Sequence, residues 1–133
     1  MNRLRTPGLA AGVALLAFTG CGGGNDREDA ETVVREVTEA TSESDGEKFC
    51  GLITERLLEQ STGATGDEAK DSCEKQIDAR KTTKLKVTKI TKTEINGDEA
   101  TVTAEIESNG RKRPQVFNLK KEDGDFRLAG AKD

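Results

Sequence analysis

Glu94-Ile95-Asn96-Gly97-Asp98-Glu99-Ala100-Thr101-Val102-Thr103-Ala104-Glu105-Ile106 is the stretch that decides the fold. Asn96-Gly97 between two apolar/polar runs is a strong hairpin signal. Ala100, Val102, Ala104 and Ile106 alternate with polar residues, as a strand with one buried face does. Upstream, Leu85 and Val87 alternate with Lys84, Lys86 and Thr88, but Ile90 and Ile95 leave that phase, which predicts a bulge or bend near Thr88–Lys89. Downstream, Asn109-Gly110 and Asp123-Gly124 mark two further turns, with Phe117 and Leu119 in one strand and Phe126 and Leu128 in the next. Three tight turns joining four alternating runs predict an antiparallel meander.

Before Thr82 the period is helical. From Asp29, the residues Ala30, Val33, Val34, Val37 and Ala40 or Thr41 form one stripe, with Glu31, Arg35, Glu36 and Glu39 mostly opposite. Ser42–Gly46 interrupts it, and Asp45 is placed to cap a second helix. That helix carries Phe49, Ile53 and Leu57 in line and stops at Ser61-Thr62-Gly63. Thr65-Gly66-Asp67-Glu68 matches a capping box and opens a third helix, with Ala69, Cys73 and Ile77 in line. The expected fold class is α+β: N-terminal helices packed on one face of a curved antiparallel sheet of about four strands.

Cys50 and Cys73 both lie on apolar stripes of consecutive helices, so antiparallel packing would bring their sulfurs together. A disulfide joining the second and third helices is expected, two buried thiols being the alternative. The third cysteine, Cys21, ends a different kind of segment. Met1–Arg5 is basic, and Gly8–Phe18 is eleven residues without a charge. Such a run is too short to span a bilayer and has the anatomy of an export signal. Phe18-Thr19-Gly20-Cys21 resembles the lipobox of bacterial lipoproteins. The resemblance implies cleavage after Gly20, lipid on Cys21, and a protein held on the extracytoplasmic face of the cell membrane; ordinary signal cleavage is the alternative. Lipid on Cys21 leaves an even pair of cysteines, which agrees with the disulfide. The expected organisation is a signal peptide at 1–20, a lipid-anchored flexible tether at 21–28 and a single α+β domain at 29–133.

The chain has 133 residues, a net charge of −4, no Trp, Tyr or His, and four Phe. Its charge is uneven, with the helical half acidic and the strand half basic. Nucleic acid is not expected as a partner of an exported acidic protein. With no histidine and two cysteines lacking companions, no metal is expected. No cofactor is expected either, since no phosphate-binding loop is present. Nothing in the sequence fixes an oligomeric state.

The Val33–Ala40 helix, Phe49-Cys50 with Cys73, the hairpin Ile95–Val102 and the closing Gly124-Asp125-Phe126-Arg127-Leu128 together resemble the nuclear transport factor 2-like, cystatin-like superfamily, over about residues 29–130. They are most similar to small actinobacterial lipoproteins carrying an uncharacterised domain of that shape. The resemblance implies a concave sheet able to hold a small apolar ligand or an envelope protein's segment. A non-catalytic binding module is expected because the chain lacks Tyr and His, a small enzyme of the isomerase or epoxide-hydrolase type on the same fold being the alternative. Superfamily enzymes of the isomerase or epoxide-hydrolase type use a carboxylate with Tyr, His or a second acid in an apolar cavity. Here Glu94, Glu105 and Asp125 are the carboxylates nearest to strand positions, and no catalytic residue is expected. Any cavity is expected to be small and lined by aliphatics. A further reading takes Lys81, Lys84, Lys86, Lys89 and Lys92 with Arg111-Lys112-Arg113 as a surface for anionic lipid or wall polymer, against a solvated strand whose lysines block edge pairing.

Overall fold

The computed structural model describes residues 23–133. Four helices, α1 (Gly23–Glu43), α2 (Gly46–Gly51), α3 (Glu55–Thr62) and α4 (Gly66–Asp78), precede four strands, β1 (Leu85–Asn96), β2 (Glu99–Ser108), β3 (Arg111–Glu122) and β4 (Asp125–Lys132). The strands form one antiparallel sheet in the order β1-β2-β3-β4, the expected meander. Ala100, Val102, Ala104 and Ile106 of β2, Phe117 and Leu119 of β3, and Phe126 and Leu128 of β4 are all buried on the helix-covered face. The α1 stripe of Ala30, Val33, Val34, Val37 and Ala40 closes the core from the other side.

Sheet curvature has a local cause. Register shifts fall between Val87 and Lys89, as expected, and again between Ile90 and Lys92. At each, the displaced threonine uses its hydroxyl on the facing strand: Thr88 Oγ1 donates to the Glu105 carbonyl at 3.2 Å and Thr91 Oγ1 to the Thr103 carbonyl at 3.2 Å. Each bulge increases twist and re-aims the following side chains. Leu85, Val87, Ile90 and Ile95, out of phase in the sequence, therefore all pack against the core. Two hairpin turns carry paired left-handed residues, Asn109 (φ 52°) with Gly110 (φ 79°) and Asp123 (φ 53°) with Gly124 (φ 86°). The first hairpin differs from the expectation by one residue. Its loop is Gly97-Asp98, with Gly97 alone at positive φ and Asn96 paired to Glu99 as the last ladder pair.

The helices depart further from the sequence reading. α1 starts at Gly23, so residues 23–28 of the expected tether are its opening turns. Asp26 fixes them, because Lys121 Nζ donates to its carboxylate at 2.8 Å. The expected second helix is broken in two. Leu128 N–H donates to the Leu52 carbonyl (2.8 Å) and Thr54 N–H to the Leu128 carbonyl (2.9 Å), so residues 52–54 run beside β4 as a short parallel bridge. Thr54 then restarts the chain as the cap of α3, its Oγ1 accepting from Leu57 N–H at 3.1 Å. Asp45 caps α2 as expected, accepting from Lys48 N–H at 3.1 Å. Thr65 occupies the cap position of α4 but makes no side-chain cap bond, because Gly66, at φ 59°, turns the chain into the helix instead. Gly63, at φ 72°, ends α3 where a stop was expected.

Candidate functional site

The interior between helices and sheet is filled, with Val34, Val102 and Leu119 fully enclosed. Space remains at its margins. None of the residues of α3 is fully buried, and a cleft of about 450 Å³ opens between α3 and the sheet. Leu57 and Ala129 form its accessible apolar part, over buried Ala100 and Leu119, while Arg56, Lys120 and Glu122 are among the charged groups around it. Glu122 also holds α3 in place, its carboxylate accepting from Glu55 N–H at 3.1 and 3.2 Å, with Arg127 Nε 3.9 Å away. An acid at a helix N-terminus meets the positive end of the helix dipole. A second cleft, about 570 Å³, lies at the far end of the sheet and includes Leu85, Ile106, Arg111, Arg113, Gln115 and Asp133. Both correct the expectation of a small aliphatic cavity. The aliphatic side chains that would have lined it interdigitate instead, which leaves mixed polar and apolar clefts at the edges.

The three singled-out carboxylates are dispersed. Glu94 is exposed on β1 and pairs with Lys92 at 2.9 Å. Glu105 accepts from Thr88 Oγ1 at 2.8 Å and stands 3.9 Å from Lys112. Asp125 is exposed where β4 begins. Among the described residues the buried polar residues are Thr38 and Thr54, and both hydroxyls are engaged in helix bonds, Thr38 donating to the Val34 carbonyl at 2.8 Å and Thr54 capping α3. Among the described residues no group of His, Cys, Asp and Glu is arranged to hold a metal ion.

Cys50 and Cys73 stand at disulfide distance, their Cα atoms 6.1 Å apart. Because the expected second helix is split, they connect α2 with α4 rather than two consecutive helices. Cys21, the expected lipid-bearing residue, lies outside the described residues, as does the expected cleavage after Gly20. Among the described residues no helix is long and apolar enough to cross a membrane.

The basic residues separate into two sets. Lys86 and Lys89 face Glu107 and Glu105 across the β1–β2 ladder, and β1 is an edge strand, so its lysines guard the edge. Arg111 and Arg113 differ. Arg113 pairs with Ile106 and Arg111 with Ser108, so both project on the helix side of the sheet, in file with Phe117. Lys112 projects from the opposite face, in register with Glu107. The two-residue period counted back from Phe117 would have separated these neighbours, which the sequence reading took as one cluster. The reading also missed Lys121. Its ammonium lies 2.8 Å from Asp26 and 5.1 Å from the centroid of Phe126, and the hydrogen bond to Asp26 raises its pKa above the ordinary lysine value. No spacing rule connects residues 26 and 121.

No known family's sequence model matches this chain, and no curated protein matches it. Solved structures do. A protein of unknown function from Mycobacterium tuberculosis is 19% identical with a TM-score of 0.58, over 80% of this chain and 74% of that one. A domain of unknown function with a cystatin-like fold from Nostoc punctiforme is 17% identical with a TM-score of 0.57, over 83% and 76%. A candidate dehydratase of the nuclear transport factor 2-like family from Streptomyces avermitilis is 17% identical with a TM-score of 0.52, over 80% and 93%. The fold is nuclear transport factor 2-like, or cystatin-like. Fold of this kind hosts many chemistries and assigns none of them.

Proposed function

We propose that the chain is a non-catalytic binding module, carried on the outer face of the cell membrane by lipid on Cys21, that receives a small apolar ligand or a short segment of an envelope protein in the cleft between α3 and the sheet. One observation carries the non-catalytic part. Acid–base sites of this superfamily's kind need a titratable group held in apolar surroundings by oriented partners. Among the described residues the buried polar residues are two threonines already engaged within the helices, and the buried polar atom without a partner is the Ser44 hydroxyl, which is not ionisable. The carboxylates at the cleft margin, Glu99 and Glu122, stand among Arg56, Gln60 and Lys120 instead.

The cleft suits weak apolar recognition: half-buried Leu57 and exposed Ala129 supply apolar contact area inside a charged rim. Native mass spectrometry of the protein extracted from membranes is expected to show a co-purifying small molecule or peptide, lost on Leu57→Lys. Turnover of an epoxide or ketosteroid that vanished on replacing Glu99 or Glu122, with folding intact, would overturn the binding reading. Anchoring is tested separately. Cys21→Ser is expected to release the protein to the medium or leave it unprocessed, whereas a substituted protein still in membranes at mature size would remove lipid as its anchor.

A further inference from the structure

Three contacts fix how α1 lies on the sheet. Asp26 near its start meets Lys121, Glu31 accepts from Thr93 Oγ1 at 3.2 Å, and Ser42 near its end accepts from Leu85 N–H at 3.1 Å. The helix therefore runs antiparallel to β1, from the end of the sheet bearing the Gly97-Asp98 and Asp123-Gly124 turns to the end bearing Asn109-Gly110. Its 21 residues span about 30 Å. Cys21 lies five residues before Asp26, so covalent geometry keeps it within about 18 Å of the near end. That end carries more acids than bases: Asp26, Asp29, Asp98, Glu99, Glu122, Asp123 and Asp125 against Arg27, Lys120, Lys121 and Arg127. The far end carries more bases than acids: Lys84, Lys86, Arg111, Lys112 and Arg113 against Glu43, Glu107 and Asp133.

At the far end, β4 reaches only to Val116, so residues 111–115 extend past it. Arg111 and Arg113 there line the 570 Å³ cleft with Leu85, Ile106 and Asp133, and among the described residues neither arginine lies within ion-pair distance of an acid. Residues two apart on one strand face have Cα atoms about 7 Å from each other, so two long arginine side chains issuing there can reach successive charges of one chain. Each offers a planar fork that fits carboxylate or phosphate oxygens. A surface at this end points away from the membrane in which Cys21 would be anchored.

We infer that the Arg111–Arg113 cleft is a docking surface for an anionic polymer of the cell envelope, whose repeating carboxylates or phosphates engage the two arginines. The orientation part rests on lipid at Cys21; the recognition part does not. Charge complementarity favours a polymer over the protein's own bilayer, since the anchor end is the acidic one and the basic end is about one α1 length away.

The test uses the full chain reconstituted in vesicles, with polygalacturonate and polyphosphate as separate probes. At least one polymer is expected to bind, more weakly as salt rises. Arg111→Ala/Arg113→Ala is expected to weaken that binding about tenfold, the loss expected on removing charge-assisted hydrogen bonds. Lys70→Ala/Lys75→Ala, which removes the same charge from α4, is expected to change it less than about twofold. Equal losses in the two double variants, or no polymer binding at low salt, would overturn the proposal. Vesicles of pure phosphatidylcholine and vesicles with added phosphatidylglycerol are expected to give the same polymer affinity. Suppression by the anionic lipid would mean that the basic end lies on the bilayer and would overturn it too. Vesicle flotation reports the anchor independently, so a failed anchor and a failed polymer site are distinguishable.

Discussion

The sheet and the helical block over residues 46–78 are held by different means. The sheet is a run of adjacent hairpins in which every strand pairs with its sequence neighbour, two of the three turns carrying paired left-handed residues. The helices α2 and α3 have six and eight residues, below the length at which an isolated helix is stable in water. They persist through contacts made from outside: the Cys50–Cys73 pair, the bridge of residues 52–54 to β4, and the Glu122 carboxylate on α3. Order in the sheet is encoded locally, and order in this block is borrowed from partners far along the chain.

Breaking the largest of those borrowed contacts gives the largest expected effect. Reducing Cys50–Cys73 is expected to lower stability by about 3 kcal/mol and melting by roughly 10 °C, with intact mass rising by the two hydrogens gained. Hydrogen exchange should lose protection in α2 and α4 before the β2–β3 ladder. Two thiols that alkylate freely in the native protein would show that no such bond exists. Next is Gly46, where α2 meets α4. Its N–H donates to Asp78 Oδ1 at 2.8 Å, and a Cβ there would lie 2.5 Å from the Glu74 carbonyl oxygen and 2.8 Å from Glu74 Cα. Gly46→Ala must push two backbones apart and is expected to cost about 2 kcal/mol by thermal denaturation, whereas Gly51→Ala, with nothing nearby, should not destabilise.

A sheet-side substitution of comparable chemistry should cost less. Gly124 has open space around it and only a φ of 86° against substitution, so Gly124→Ala is expected to cost about 1 kcal/mol in chemical denaturation without loss of the other hairpins. An equal cost for Gly46→Ala and Gly124→Ala would erase the distinction between the two regions. The smallest effect is local. Lys121→Met should leave melting nearly unchanged and speed amide exchange only in the first turns of α1, where Asp26 loses its partner.

The same contrast explains what the sequence disclosed. Alternation at Ala100–Ile106 and the dipeptides Asn109-Gly110 and Asp123-Gly124 located the strands, because turn chemistry and pleat are decided within a few residues. The one-residue displacement of the first turn to Gly97-Asp98 reflects Asn96 and Glu99 completing the ladder, a preference of the pairing rather than of the dipeptide. The break at residues 52–54 was invisible to a helical count of Phe49, Ile53 and Leu57. Ile53 is indeed buried, but beside β4, and only Gly51 and the cap-forming Thr54 hinted at it. Of the candidate site, the Cys50 and Cys73 positions were legible from their stripes. The clefts were not, since they form where α3 stands off the sheet and where β3 outruns β4.

The bridge at residues 52–54 also decides what can happen at the borders of the sheet. An additional strand arriving beside β4 would have to displace Leu52–Thr54 and with them the cap of α3, while one arriving beside β1 meets lysines and two interruptions in the ladder. One border is plugged by the chain itself and the other is electrically and geometrically unwelcoming. Copies crowded together could thus touch repeatedly without templating one another into fibrils.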